Sequence, residues 1–414
     1  MASERAYWLA WSRIKDVGPV TIKRLWEQFG SLKIAWKSSA GDLLTVDGIG
    51  LLIAEKIASQ RPRLDPDAIL AKHEEENLSF WTPADADYPA LLFAINDPPP
   101  VLYYRGSLRL NDPNLLTVGI VGTRRPSSYG KRWTQRLSRS LTAQGAMIIS
   151  GLAAGIDTEA HTSCLNQNGK TVAVVGTGVD VVYPARNQRL YQQVADTGLV
   201  VSEYPDGTGP DRTHFPQRNR IIAGLSRAIL VTEAPARSGA LITARLANDY
   251  CREVYALPCS LDNVQGAGCL RVIEQGAQMI LGEQALVDAL VKLPTVDIGE
   301  AAEERLKAQL VDRSGHQSTS EQSTKQLTEQ STEQATRKQS SSRAPASAAA
   351  PVSPIPNLTP LLNQVLNAVS VEPVVLDRIV QAAQVDTGAV LGALVQLEIS
   401  GLVVQLPGMQ YQRV

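Results

Sequence analysis

No stretch of this 414-residue chain approaches the roughly 18 to 20 consecutive apolar residues that a membrane-spanning helix needs, which excludes a helical membrane protein. Cysteine and histidine are scarce, at four each. No CxxC pair occurs, although Cys251, Cys259 and Cys269 lie close in sequence. Reduced thiols serving as small buried hydrophobes are therefore expected, with a zinc site as the alternative. An excess of either charge is missing too: 40 Lys and Arg against 41 Asp and Glu give a formal net charge of -1. That balance excludes a globally basic nucleic-acid binder and leaves only local basic patches to find. The segment Met1–Arg5 has no apolar signal core, so a cytoplasmic location is expected.

Familiar catalytic constellations are missing as well. The run at Gly130-Lys131 lacks the upstream glycine of a Walker A loop, since Arg125 stands there, and Arg132 replaces its Ser/Thr. Gly176-Thr177-Gly178 lacks the third glycine of a dinucleotide fingerprint. His161 shares a helix face with Asp157, but no further ligands accompany them, so a structural hydrogen bond is the simpler reading than a metal.

What is present is a strand–turn–helix pattern, repeated from about Thr117 to Leu281. Short apolar runs (Val118–Val121, Met147–Ile149, Thr171–Val175, Leu199–Glu203, Ala228–Glu233, Glu253–Leu257 and Ala277–Ile280) alternate with amphipathic helical stretches. The spacing predicts an α/β fold: a Rossmann-like, doubly wound, mostly parallel sheet. Two glycine turns organise it. Gly122-Thr123-Arg124-Arg125 follows the first strand, and Ser150-Gly151-Leu152-Ala153-Ala154-Gly155-Ile156-Asp157 ends the second. A strand that opens through glycine onto a helix leaves backbone N–H groups pointing at one spot, with the positive end of the helix dipole behind them. Phosphate is the expected occupant, and two arginines in the first turn can grip it.

Length and composition divide the rest. Residues 1–75 read as a helical domain of SAM or helix-hairpin-helix type, with Gly48-Ile49-Gly50 opening the helix at Leu51. Such hairpins grip phosphates in some proteins and merely pack in others. Residues 76–295 hold an extended, proline-rich lead-in, in which Val101–Gly106 reads as an edge strand, followed by the Rossmann-like domain. Residues 296–356, rich in Ser, Thr, Gln, Ala and Pro, read as a disordered low-complexity linker. Residues 357–414 pattern as three helices and a hairpin, a winged helix. Its third helical stretch carries Asp386 and Glu398 and no basic residue, which favours protein docking over DNA reading.

The segment Thr213–Ser226 places Pro216 in a first helical turn beside Arg218 and Arg220. Positive charge there opposes the helix dipole, a conflict that a bound anion would resolve. Phe215 offers a face on which a base can stack. Taken with VGTRRPSSYG at residues 121–130, SGLAAGIDTEAH at 150–161, GKTVAVVGTGVDVVYPARN at 169–187, SEYP, FPQRNRIIAGLS and EAPARSGALITA, the chain resembles the DNA-processing protein A family (DprA, also called Smf) over most of residues 80–282. The helical N-terminus and winged-helix C-terminus match the architecture of many members.

The resemblance implies a bacterial protein that binds single-stranded DNA and loads the RecA recombinase onto it in natural transformation. It implies a homodimer through the Rossmann-like domain, no catalytic turnover and no cofactor. Carried over by motif position, Arg124, with Gly122, Thr123 and Arg125 in the same turn, would bind phosphate. Lys170, Phe215, Arg218, Asn219 and Arg220 would line the DNA pocket. Ser150, Gly151, Gly155 and Asp157 would shape the adjoining turn, and Ser238 and Thr243 would complete it. The chain departs from the family at Cys251 and Cys259, where glycine is usual, and at Cys269, where asparagine is usual. The competing expectation is a nucleotide-processing enzyme on a related fold, with Asp157, Glu203 and Glu233 as acid–base candidates. The alternative for those carboxylates is to cap helices or pair with arginines.

Overall fold

A computed structural model describes residues 3–77, 79–112, 114–294, 360–385, 387–399, 402–406 and 410–413. The expected linker, residues 296–356, lies outside the described residues, as does Asp386. The chain divides into two compact units, Met1–Gln326 and Leu327–Val414.

In the first unit, nine strands form one sheet: β1 Phe80–Trp81, β2 Leu102–Gly106, β3 Thr117–Gly122, β4 Met147–Ser150, β5 Thr171–Val174, β6 Leu199–Ser202, β7 Ala228–Glu233, β8 Glu253–Ala256 and β9 Gln278–Met279. Their order is β1-β2-β6-β5-β4-β3-β7-β8-β9. Every pairing from β6 across to β9 is parallel. The strands β3 to β7 are buried along nearly their whole length, so they read as continuous apolar runs without alternation. Strand order reverses between β3 and β7, and this is the switch point at which such sheets open a crevice beyond their strand C-termini. The stretch Leu102–Gly106 is not the edge. It pairs antiparallel with β6 and is itself covered by β1. The two-residue β1 carries too little pattern to be read from sequence.

The N-terminal helices are closed by side-chain caps at Ser3, Ser31, Ser39 and Asp65, and by glycine caps at Gly18 and Gly50. Their apolar faces do not form a separate core. Trp8, Trp11, Leu25 and Ile57 belong to the same cluster as Met147, Val172 and Val231 from the sheet. Burial against one sheet face, not propensity, holds these short helices. The opposite sheet face packs on Leu137, Leu141, Ile156 and Ala160.

The helix Ala240–Asp249 ends in a Schellman motif: the Cys251 N–H donates to Asn248 O (3.0 Å) and the Arg252 N–H to Ala247 O (2.8 Å). Cys251 therefore sits at φ 54°, a left-handed position suited to glycine. An L-residue there costs about 1–2 kcal/mol, of which glycine's extra chain entropy returns about 0.5–1. Cys251→Gly is expected to raise stability by about 0.5–1 kcal/mol, whereas Cys251→Ala should leave the urea midpoint unchanged. A lower midpoint for the glycine variant would contradict this account.

The second unit has helices Pro360–Ala368, Leu376–Ala383 and Thr387–Ile399 and a small antiparallel sheet of β10 Val374–Val375, β11 Val403–Leu406 and β12 Gln410–Arg413. Val365, Ile379, Leu394 and Tyr411 anchor its core. Residues 374–375 pair with Tyr411 and Gln410 as a third strand beside the hairpin.

Candidate nucleic-acid interface

The C-terminal rim of the sheet collects the glycine turns. Gly155, at φ 87°, has no room for a Cβ, which would lie 2.4 Å from Thr123 O of the neighbouring turn. The Ile156 N–H closes the pair by donating to Thr123 O (3.1 Å). Ser150 is fully buried and donates to Ile120 O (2.6 Å), so it ties β4 to β3 from behind and faces no ligand.

In the second turn two of the N–H groups expected to face phosphate are met by a carboxylate of the chain itself, and a second carboxylate closes the helix start just after the first turn. Asp157 Oδ2 accepts from the Gly151 and Ala153 N–H groups at 3.1 and 3.3 Å. Burial raises the Asp157 carboxyl above the usual carboxylate range, against the opposing pull of Arg218. Just after the first turn Glu233, at the end of β7, accepts from the Ser127 N–H (2.7 Å) and hydroxyl (2.6 Å), while Ser127 caps the helix Ser128–Ala143. The Thr123 N–H donates to Glu233 O (2.7 Å).

Arg218 and Arg220 are likewise answered from within. Residues two apart on a helix point to different sides. Arg218 is buried beneath the rim and donates to Gly151 O at 2.6 Å and to Val174 O. Burial lowers its pKa to about 10. Arg220 lies on another face, paired with Glu203 and, at 3.5 Å, with Asp97, which also accepts from the Tyr250 hydroxyl at 2.6 Å. The helix begins at His214, so both arginines fall beyond its first turn.

Above Arg218 lies a cleft of two adjoining cavities. One, of about 310 Å³, is lined by Arg124, Arg125, Gly151, Ala153, Tyr183, Arg186, Phe215 and Arg218 among others. The second, of about 540 Å³, shares Arg124, Tyr183, Phe215 and Arg218 and adds Gly122, Thr123, Asp157, Arg212, Asn219, Arg237, Ser238 and Thr243. Tyr183 and Phe215 stand 5.4 Å apart with their planes at 32°, and the Arg124 guanidinium lies 5.4 Å over the Phe215 ring. Asn219 is held by Gly239 O at 3.3 Å. Asp157 is the one carboxylate among these lining residues, and its Oδ2 is taken by the turn.

Most of the residues expected from sequence thus meet in one place. Ser150 and Gly155 support it from behind, and Arg220 serves the helix's other side. Lys170 does not join it. It precedes β5, so it lies at the N-terminal edge of the parallel sheet, opposite the rim. Sequence reasoning missed Tyr183, Arg186, Arg212 and Arg237. The first two lie within the YPARN string and the last within EAPARSG, so the signal was present although no periodicity marks it.

Fold and cleft define a Rossmann-like protein with a cationic, aromatic-lined crevice at its switch point. Residues 79–291 match the family model described as DNA recombination-mediator protein A, and residues 348–409 match the DprA winged helix domain. The chain belongs to this family, DprA/Smf. It is 47% identical over 413 residues to Protein Smf of Synechocystis, covering 99% of both chains. It is 42% identical over 218 residues to DNA processing protein DprA of Streptococcus pneumoniae, covering 53% of this chain and 76% of that one. The X-ray structure of the Streptococcus pneumoniae protein superposes with a TM-score of 0.60 at 34% identity, over 70% of this chain and 98% of that one.

Proposed function

We propose that this protein binds single-stranded DNA in the rim cleft and passes it to the RecA recombinase, acting in the cytoplasm as a binding protein without chemical turnover. The observation that carries the reading is the cleft's composition: exposed Arg124, Arg125, Arg186, Arg212 and Arg237 surround an aromatic pair. Guanidinium groups neutralise backbone phosphates, and an aromatic face takes an unpaired base, which a duplex does not offer. Membership of a recombination-mediator family supports the proposed transfer to RecA. A homodimer would extend the track, and the sheet's β9 edge, with Met279 and Leu281 48% and 80% exposed, is the surface we assign to it.

The enzymatic alternative finds little support in the carboxylates it requires. Asp157 holds the second turn, Glu203 pairs with Arg220, and Glu233 holds Ser127, the cap residue of a helix.

Fluorescence anisotropy of a labelled poly-dT oligomer across a salt series tests the proposal. Wild type should prefer single strand to duplex, with affinity falling steeply as salt rises. Arg124→Ala should bind more weakly, with a log–log salt slope shallower by about 0.7, the loss of one single-strand phosphate contact. Phe215→Ala should lose about 1–3 kcal/mol of affinity with its slope unchanged, because stacking releases no counterion. If both variants match wild type, the cleft is not the track.

A further inference from the structure

We propose that the single-strand track continues out of the cleft into a second groove, whose wall is built by Arg237, Arg245 and Arg271. The inference rests on the single-strand reading of the cleft and extends it to a separate segment of strand. The groove, of about 410 Å³, runs between the helices Ala240–Asp249 and Ala267–Glu274. It joins the cleft physically, because Arg237, Ser238 and Gly239 line both.

Its chemistry is that of a phosphodiester channel. The three arginines are exposed, and no Asp or Glu lines the groove. Asp249 and Glu274 lie one helical turn from Arg245 and Arg271, yet among the described residues neither forms an ion pair with them. Exposed arginines elsewhere do find carboxylates, as Arg24 with Asp47 at 3.1 Å and Arg136 with Glu283 show. Clustered guanidinium groups without a counter-charge repel one another, and a polyanion threading between them removes that cost. Asn248 and Gln275 add neutral donors, while Leu241, Val254 and part-exposed Ile242 give an apolar floor for sugars and base faces. An acidic protein segment would satisfy the charges as well. Continuity with the cleft favours the strand.

Strand length separates the groove from the cleft. The double variant Arg245→Gln with Arg271→Gln leaves every cleft residue in place and alters only exposed side chains. Its anisotropy is compared with wild type on dT oligomers of about six and about twenty nucleotides, which bracket common single-strand site sizes. The expected result is unchanged affinity for the short oligomer. The long one should bind roughly five- to twentyfold more weakly at low salt, with a slope shallower by about 1.4, two contacts at about 0.7 each. If wild type binds both oligomers and the double variant matches it on both, the groove is not part of the track and the cleft reading stands alone. An equal loss on short and long oligomers also overturns the proposal, because the effect would then come from the cleft. Failure of wild type to bind either oligomer sinks both readings together.

Discussion

Replacing Arg218 with methionine is expected to destabilise the protein by about 3–5 kcal/mol, the cost of removing one partner from a buried charged network. Arg218 is only 4% exposed, and its guanidinium serves carbonyls at the ends of two adjacent strands, Gly151 O and Val174 O, with Asp157 beside it. Methionine fills similar space but donates nothing, so two carbonyls would be left without that donor and Asp157 without its neighbouring positive charge. Arg218→Lys should recover part of the loss, since both carbonyls are served by the single nitrogen Nη1 and an ammonium can also donate to two acceptors. Urea denaturation checks the claim, with Arg124→Ala as an exposed control expected to change stability by less than about 0.5 kcal/mol. The family resemblance implies instead that Arg218 would line the DNA pocket. Were Arg218→Met as stable as wild type yet defective in DNA binding, that role would hold and the structural one would fail.

A second large effect is expected with acid. His161 is wholly buried, and burial lowers its pKa to about 3. The Thr171 hydroxyl donates to Ile148 O, so its remaining lone pair accepts from His161 Nδ1 at 2.7 Å. That fixes the tautomer and leaves Nε2 without a hydrogen bond; the Ser150 backbone favours a proton on the ring, but burial outweighs it. The unfolded chain's imidazole titrates near 6.5, so between about pH 6.5 and 3 the unfolded state binds the extra proton and stability falls with pH. At about pH 4.5 the loss from this one group is roughly 2–3 kcal/mol. His73, lowered to about 4 by burial and Arg13, works in the same direction. Asp157 and Glu203, both raised by burial, work in the opposite one. The test is therefore a difference: His161→Gln, which keeps a donor for Thr171, should lose roughly 2–3 kcal/mol less than wild type between about pH 7 and 4.5. Equal losses would mean that His161 is not held neutral.

The strands and both glycine turns were legible because parallel strands buried on both faces leave unbroken apolar runs, and turns that interlock at Gly155 and Thr123 tolerate little but glycine. The side chains of the rim were less so. Arg218 and Arg220 look alike in sequence, but two helical positions apart they reach different surroundings, one meeting strand ends and the other Glu203 and Asp97. Lys170 adjoins a strand on the wrong side, a conclusion that strand direction alone would have allowed. Glu233 holds Ser127, the cap residue of a helix 106 residues earlier, and that partnership depends on β7 lying next to β3. Local patterns carry no strand order, so no reading of the stretch around Glu233 could supply it. Arg186 sits in a short 3-10 helix and Arg212 in a turn, both in connections whose course over the rim is a tertiary property.

The carboxylate built into the second turn also bears on which molecules compete for the cleft. In many Rossmann-like proteins the open turn is where a nucleoside diphosphate or triphosphate seats its chained phosphates. Here Asp157 already accepts from the Gly151 and Ala153 N–H groups, and Glu233 from Ser127. A doubly or triply charged phosphate tail arriving at the second turn would meet an acidic oxygen where it needs a donor. Singly charged diester links, spread along a strand and met by separate side chains, suffer no such rebuff. On the proposed reading, a free nucleotide would therefore compete poorly with a strand for this part of the cleft.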